Sequence, residues 1–218
     1  AERATEVSSV EINGASEPLS GETSIAVLPT SVQDTPQAVT VVTSAQLKAQ
    51  GVNTLEGALR NVPGITIAIG EGGALNGDQF KIRGFSAQDD IYVDGLRDFG
   101  VYTRDSFAFE SVQVLKGPSG ALFGRGAVGG AINTVSKRPR LEDTAGLDLF
   151  VGSAGYVRGL ADLNVRLGDS TALRLNLMAQ SSNVVGRDEV FTRRRGAAAG
   201  IAFGLGTGTT LTLTYLHQ

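Results

Sequence analysis

The last third of the chain alternates apolar and polar residues with a period of two. Between 157 and 167, apolar or small residues take nearly every second position, and Arg, Asp and Asn take most positions between them. The run 173–180 repeats this pattern, and further runs lie at 147–149, 197–205 and 211–215. Because successive side chains of a strand point to opposite faces, the pattern predicts about five antiparallel strands with one apolar face each.

The predicted strands are long, and polar segments link them. The longer ones approach the roughly 9–11 residues that a tilted strand needs to cross a bilayer, whereas strands of soluble proteins average about 5–6. Short links at 152–155 and 168–170 contrast with a longer polar insert at 181–195. A soluble sheet with one buried face gives the same alternation, but strand length favours an outer-membrane β-barrel, whose outside meets lipid and whose inside is wet.

Residues 25–140 have a different pattern, in which short β-rich runs alternate with two short helical segments. The helices are predicted to begin after Thr43 or Ser44 and at Thr54, because hydroxyl side chains cap helix N-termini. All six prolines precede Leu141. Residues 1–24 are small and polar without a clear period, which predicts a flexible N-terminal segment. The strands of the 25–140 unit are expected at 38–42, 65–69, 80–85, 91–96, 112–116 and 131–135.

Composition excludes several kinds of chemistry. The chain has no Cys and one His, which rules out disulfides, Cys-ligated metals and a thiol nucleophile and nearly excludes a multi-His metal site. A net charge of −3 argues against nucleic-acid binding. The glycine motif at 124–129 precedes a β-like run rather than a helix, so it does not indicate a dinucleotide site. No carboxylate pair demands catalysis, and we expect a protein that is not an enzyme.

The segment 97–105 presents two arginines and two aromatic residues on a predicted loop. A guanidinium supplies positive charge and a ring supplies a stacking surface, so this set suits an anionic aromatic ligand. An ordinary solvated loop with local Arg–Asp pairs explains the same composition.

Several motifs follow one another along the first part of the chain. They are 34–42 (DTPQAVTVV), 59–65 (LRNVPGI), 82–85 (IRGF), 91–95 (IYVDG), 110–124 (ESVQVLKGPSGALFG), 129–133 (GGAIN) and 136–139 (SKRP). In order and spacing, these stretches resemble the N-terminal plug of TonB-dependent outer-membrane receptors, in the siderophore-receptor branch. The segment 90–98 looks most like the catecholate-siderophore receptors.

The resemblance implies an α+β plug, a small mixed β-sheet with short helices, followed by antiparallel strands of a transmembrane β-barrel. The plug would occupy 25–140 and the first strands 141–218, after the N-terminal segment 1–24. Closed barrels of this family have about 22 strands, and about five are predicted here. We therefore expect the barrel to be truncated in this sequence and the native chain to be several times longer.

The implied function is TonB-dependent active uptake of a ferric siderophore, of catecholate type, across the outer membrane of a Gram-negative bacterium, with the plug gating the barrel. The implied partners are TonB, energised by the proton-motive force of the inner membrane, the ferric siderophore and outer-membrane lipid. Iron would arrive already chelated, so no intrinsic cofactor is expected. The alternatives are a receptor for cobalamin or another nutrient, a stand-alone plug-like binding module, and a surface β-protein that serves as a docking site for phage or toxins.

Residue roles follow from the resemblance as expectations. The outward-facing plug loops would be 70–78 and 97–105, and Arg83 either contacts ligand or faces barrel carboxylates. A TonB box, to which TonB adds as a strand, is expected at Thr5, Glu6, Val7, Ser8, Ser9 and Val10. A lock between plug and barrel is expected at Glu110 and Arg125. The ligand-binding residues are expected to be Arg83, Arg97, Phe99, Tyr102 and Arg104.

Overall fold

The computed structural model describes residues 37–68, 77–124, 126–187 and 189–218. The N-terminal segment with the expected TonB box, most of the Gly-rich loop, and Arg125 lie outside the described residues. Among the described residues, the first part of the chain forms eight strands and three helices. The strands are β1 (Ala38–Thr43), β2 (Ile65–Ile67), β3 (Phe80–Ile82), β4 (Phe85–Ser86), β5 (Ile91–Val93), β6 (Leu96–Arg97), β7 (Phe109–Lys116) and β8 (Gly130–Ser136), and the helices are α1 (Ser44–Ala49), α2 (Leu55–Leu59) and α3 (Gly120–Phe123).

Both predicted helices begin where hydroxyl caps were expected. Thr43 and Gln46 form a reciprocal capping box at α1, and the Thr54 hydroxyl accepts a hydrogen bond from the Gly57 amide at α2. A short 3-10 turn, Ser106–Ala108, precedes β7. Within the described ranges, no helix is long and apolar enough to cross a membrane.

The strands of this part form a mixed sheet in the order β1–β7–β8–β5–β6 and a small sheet β2–β3–β4. The pair β5–β8 is parallel and its neighbours are antiparallel. The predicted strands 80–85 and 91–96 are each divided by a turn, the first at Arg83 and Gly84 and the second at Asp94 and Gly95, and all four turn residues have positive φ. The expected α+β plug with a mixed sheet is confirmed.

The core of this part lies between one face of the mixed sheet and the helices with the small sheet. Its members come from distant segments, which ties the domain together. Fully buried apolar residues include Leu55, Leu59, Ile82, Ile91, Val112, Val114 and Ile132.

The second part is a purely antiparallel sheet in chain order, which we call the wall: β9 (Thr144–Val151), β10 (Val157–Arg166), β11 (Thr171–Asn183), β12 (Phe191–Phe203) and β13 (Leu211–His217). Five strands were predicted, as observed, but the polar insert 181–195 was predicted too wide, because β11 continues to Asn183 and β12 begins at Phe191. The β11–β12 register runs without interruption from Thr171↔Phe203 to Asn183↔Phe191. Backbone pairing does not require apolar side chains, so polar residues continue both strands.

The two faces of the wall are inverted relative to a soluble protein. The apolar face points away from the first domain, and Leu147 is 82% exposed. The polar face covers the first domain, so that Arg158, Asn164 and Asn176 are buried. An apolar outer surface is what lipid requires of a transmembrane strand, so this orientation agrees with the barrel interpretation.

Candidate functional site

The loop after β6 is held closed by one carboxylate. The Asp98 amide donates to the Ile91 carbonyl at 2.9 Å, which continues the β5–β6 hairpin. The Asp98 side chain accepts hydrogen bonds from the Gly100 amide at 2.9 Å and from the Tyr102 hydroxyl at 2.7 Å. The loop therefore folds back over Asp98.

Arg104 is the internal anchor of the same loop. Its Nε and one terminal nitrogen donate to Asp98 at 3.0 and 2.8 Å, and its other terminal nitrogen lies 3.3 Å from an Asp78 oxygen. The carbonyls of Gly100 and Tyr102 accept the remaining N–H groups at 2.8 and 3.4 Å. All five guanidinium donors thus have partners, and the Tyr102 ring lies 4.3 Å from the guanidinium carbon.

Burial and hydrogen bonding shift the ionisation of this network. Burial raises the pKa of Asp78, although hydrogen bonds and the charge of Arg104 oppose it. Burial also acts to raise the pKa of Asp98, but the hydrogen bonds from Tyr102 and Gly100 and the Arg104 charge outweigh it, so that pKa is lowered. Burial and the hydrogen bond to Asp98 raise the pKa of Tyr102 to about 12. At neutral pH, Asp98 is therefore ionised and Tyr102 is protonated.

The outer side of the loop carries a cation between one exposed ring and one buried ring. Phe99 is 71% exposed, and the Arg97 guanidinium carbon lies 5.8 Å from its ring centroid and 5.4 Å from that of Tyr92. One terminal nitrogen of Arg97 donates to the Tyr92 hydroxyl at 2.7 Å and lies 3.8 Å from Asp90. Arg97 is thereby held in place with Phe99 at the surface.

The structure divides the five expected ligand residues. Phe99 is exposed and has the 22%-exposed Arg97 side chain beside its ring, whereas Tyr102 and Arg104 lie together on the inside of the loop. Arg83 is separate: it occupies the β3–β4 turn and lies near Lys116, whose pKa is lowered by burial and by the Arg83 charge. Direct ligand contact by any of the five stays a prediction, and the buried, fully paired Arg104 is better placed to shape the loop.

A second group of polar residues joins the loop to the wall. Asp105, next to Arg104, forms two hydrogen bonds with the terminal nitrogens of Arg158 on β10, at 2.6 and 2.9 Å. Arg194 on β12 lies 3.2 Å from the same carboxylate, and the Gln180 amide oxygen accepts hydrogen bonds from both arginines. The Asp105 and Arg158 side chains are only 2% and 1% exposed, so the pair is excluded from water.

The 3-10 turn adds an apolar contact beside this pair. Phe107 packs with Met178 on β11, and its ring atoms lie 2.7 Å from the point where a Cβ on Gly196 would stand. Only a glycine leaves room for the ring at this position of β12. The loop end is thus fixed to three wall strands by charge and by shape.

A third polar group joins the start of β7 and the end of β8 to strands β10 and β11 of the wall. Lys137 and Arg174 lie 3.0 and 2.8 Å from the Asp162 carboxylate. Glu110 lies 2.6 Å from Arg140 and 3.6 Å from Arg174. Glu110, expected in a plug–barrel lock, therefore does contact a wall arginine, and its role as a lock stays a prediction.

The sequence did not single out Asp105, Arg158, Asp162 or Arg174. Arg158 and Asp162 were assigned to a polar face without partners. Arginines on the inner face of a sheet that covers another domain need carboxylates opposite them. That requirement could have marked Arg158 and Arg174 as residues with buried partners. It could not identify Asp105, which is 53 residues from Arg158.

The comparisons with known proteins agree with this geometry. Residues 31–131 match the TonB-dependent Receptor Plug Domain. The catecholate siderophore receptor Fiu of Escherichia coli O157:H7 is 45% identical over 188 residues, 85% of this chain and 25% of its own. The chain therefore spans about a quarter of the length of this relative.

Solved structures show the same arrangement. The closed form of the ferric-catecholate import receptor Fiu from E. coli K12 matches with a TM-score of 0.82 and 41% identity, over 91% of this chain and 28% of that one. The siderophore receptor PiuA of Acinetobacter baumannii matches with a TM-score of 0.82 and 37% identity, over 90% of this chain and 28% of that one.

Fold, inner polar contacts and relatives agree on one class: a plug domain followed by antiparallel strands, as in the TonB-dependent outer-membrane receptors of Gram-negative bacteria that this chain resembles. Within that class, the resemblance to the siderophore receptors, and to the catecholate receptor Fiu among them, is confirmed.

Proposed function

We propose that this chain is part of a receptor that takes up a ferric siderophore of catecholate type by TonB-dependent active transport. The observation that carries the proposal is the 45% identity to a catecholate siderophore receptor across both the plug and the wall strands. Receptors of this kind bind and transport, and we propose that the protein is not an enzyme.

The outer side of the loop supports the ligand class. A ferric catecholate is anionic and aromatic, and Arg97 with Phe99 offers a guanidinium beside an exposed ring. Tyr102 and Arg104 act from the inside, because their hydrogen bonds to Asp98 hold the loop in shape. Arg83 lies apart from this surface, and we propose for it the alternative role of facing barrel carboxylates.

The iron is cargo in this proposal, and the protein contributes no metal ligands. Among the residues that the structure describes, no cluster of three or more His, Cys, Asp or Glu could hold a metal ion. TonB would pair with Thr5–Val10 as an added strand and supply the energy of the proton-motive force.

The test is uptake of radioactive iron, delivered as a ferric catecholate, by cells that rely on this receptor. We expect uptake to require TonB and to stop with a protonophore. Phe99→Ala is expected to weaken binding by about tenfold. Leu96→Ala, three positions before Phe99 and about equally exposed, is the matched control.

The alternatives give different results. Uptake of cobalamin without binding of iron chelates would show that the ligand is cobalamin and not a ferric siderophore. Binding of the chelate by the receptor without any TonB-dependent uptake would support a binding module instead. Normal iron uptake in cells that lack the gene, together with resistance to a phage or toxin, would support the docking-site alternative.

A further inference from the structure

The lipid-facing side of β11 and β12 changes from apolar to polar at one pair of residues. The two strands stay in register along their length, and Leu177 stands opposite Ala197. On one side of this pair, the lipid-facing positions are apolar: Leu173, Leu175, Ala199, Ile201 and Phe203. On the other side they are Ala179, Ser181 and Asn183 on β11 and Arg195, Arg193 and Phe191 on β12. The apolar surface therefore ends near this pair, whereas both strands continue beyond it.

Two arginines lie on the lipid-facing side of this extension. Arg194 points toward the first domain, where it lies 3.2 Å from Asp105, and Gly196 faces the Phe107 ring. Because successive side chains of a strand point to opposite faces, Arg193 and Arg195 point away from the first domain, and both are exposed. A charge on the lipid-facing side is costly in the middle of the bilayer and inexpensive at its surface, so the level of these residues decides what they meet.

The two arginines lie at the level of the lipid headgroups. In a strand tilted by about 45°, two residues advance about 5 Å along the membrane normal, so Arg195 and Arg193 lie about 5 and 9 Å beyond Ala197. The headgroup layer adds about 5–7 Å to each side of the hydrocarbon core. The Arg193 guanidinium carbon lies 4.6 Å from the ring centroid of Phe191, which is two positions further from the apolar residues. The Arg193 side chain is therefore directed away from the hydrocarbon, toward an aromatic residue of the kind that marks the membrane interface.

The charge of these arginines is not neutralised by the described residues. Arg194, between them, pairs with Asp105, but neither Arg193 nor Arg195 forms an ion pair within the described ranges. A guanidinium presents its N–H groups as a planar fork that matches the oxygens of a phosphate group. Two such forks, two positions apart on one face, suit a lipid headgroup that carries more than one phosphate.

The contact between Arg194 and Asp105 identifies the leaflet. Asp105 ends the loop that the proposed function directs toward a ligand outside the cell, so Arg193 and Arg195 lie at the extracellular end of the wall. We propose that these two arginines form a binding site for the phosphate groups of lipid A, the glycolipid of the outer leaflet of a Gram-negative outer membrane. The leaflet rests on the proposed function, whereas the site rests on the wall itself.

Binding of lipid A to the complete receptor, stripped of lipid in a neutral detergent, tests this site. The probes are lipid A with two phosphate groups, its monophosphoryl form, and phosphatidylglycerol, an anionic phospholipid with one phosphate. Arg193→Gln combined with Arg195→Gln removes both charges. Arg60→Gln combined with Arg166→Gln is the matched control, because it removes two exposed arginines from α2 and from the opposite end of β10. Binding of a ferric catecholate is measured for every variant.

The unmodified receptor is expected to bind lipid A more tightly than either of the other lipids. Loss of Arg193 and Arg195 is expected to weaken lipid A binding at low salt by roughly 30-fold, or about fivefold for each charge, and to leave chelate binding within about twofold. The control is expected to leave both within about twofold. Equal lipid A affinity in the two variants, or equal affinity of the unmodified receptor for lipid A and phosphatidylglycerol, would overturn the inference. Preferential lipid A binding by a receptor that binds no ferric catecholate would overturn the proposed function alone, because that preference places the site in the outer leaflet independently.

Discussion

The buried pair Asp105–Arg158 allows a quantitative prediction. Asp105→Asn keeps the shape of the side chain but removes the carboxylate, and Arg158 is 1% exposed with no other acidic partner among the described residues. Arg158 Nε is already buried without a hydrogen-bond partner, so no spare contact takes up the loss. Removing one partner of a buried pair costs about 3–5 kcal/mol, because the other charge remains unsolvated.

Unfolding of the plug in urea measures this cost. Ala58→Cys places a reporter thiol in the buried core of α2, in a chain with no other Cys, and its reaction with a maleimide reports plug unfolding. With an m-value of about 2 kcal/mol/M, a loss of about 4 kcal/mol lowers the midpoint by about 2 M. Glu110→Gln is the matched control: Arg140 and Glu110 are 54% and 31% exposed, so their pair is worth about 0–1 kcal/mol, and Arg174, 3.6 Å from Glu110, keeps its closer pair with Asp162.

Two results would refute this reasoning. One is a midpoint for Asp105→Asn no lower than that of Glu110→Gln. The other comes from the double variant of Asp105→Asn and Arg158→Gln. This variant no longer buries the unpaired guanidinium of Arg158, so it is expected to recover part of the stability that Asp105→Asn loses. If the double variant instead loses the sum of the stabilities lost by the two single variants, the two residues are not coupled.

Three further predictions concern the loop and the wall. In an ultraviolet pH titration, the ionisation of Tyr102 is expected at about pH 12 and to move lower in Asp98→Asn, because that hydrogen bond favours the protonated phenol; the Tyr102→Phe difference spectrum assigns the step, and an unchanged titration would contradict it. The pKa of Asp98 is lower in the folded loop than its ordinary value of 3.8, so the ionised carboxylate stabilises the folded loop above pH 3.8. This stabilisation is lost as the pH falls through the lowered pKa, so protection of the loop from a protease should decline only in strong acid. Gly196→Ala is expected to weaken plug attachment by about 1–3 kcal/mol through a clash with the Phe107 ring, and Phe107→Leu should relieve part of that cost; a neutral Gly196→Ala would show that the ring moves freely.

Local sequence signals predicted the elements of both parts well. Hydroxyl caps placed α1 and α2, and the period of two identified the wall strands and the face that turns toward lipid. The predicted insert 181–195 was too wide at both ends, because alternation appears only where a face meets an apolar environment, while backbone pairing continues through polar residues to Asn183 and from Phe191.

The sequence by itself determined that the chain carries a mixed α+β domain followed by amphipathic strands, since strand period, turns and helix caps depend on residues a few positions apart. The tertiary structure alone decided which charges meet. Asp105 and Arg158 are 53 residues apart, and Arg104 and Asp78 are 26 apart. It also decided that Arg97 and Phe99 face outward while Arg104 faces inward, because the direction of a side chain in an irregular loop follows from distant partners and not from its neighbours in sequence.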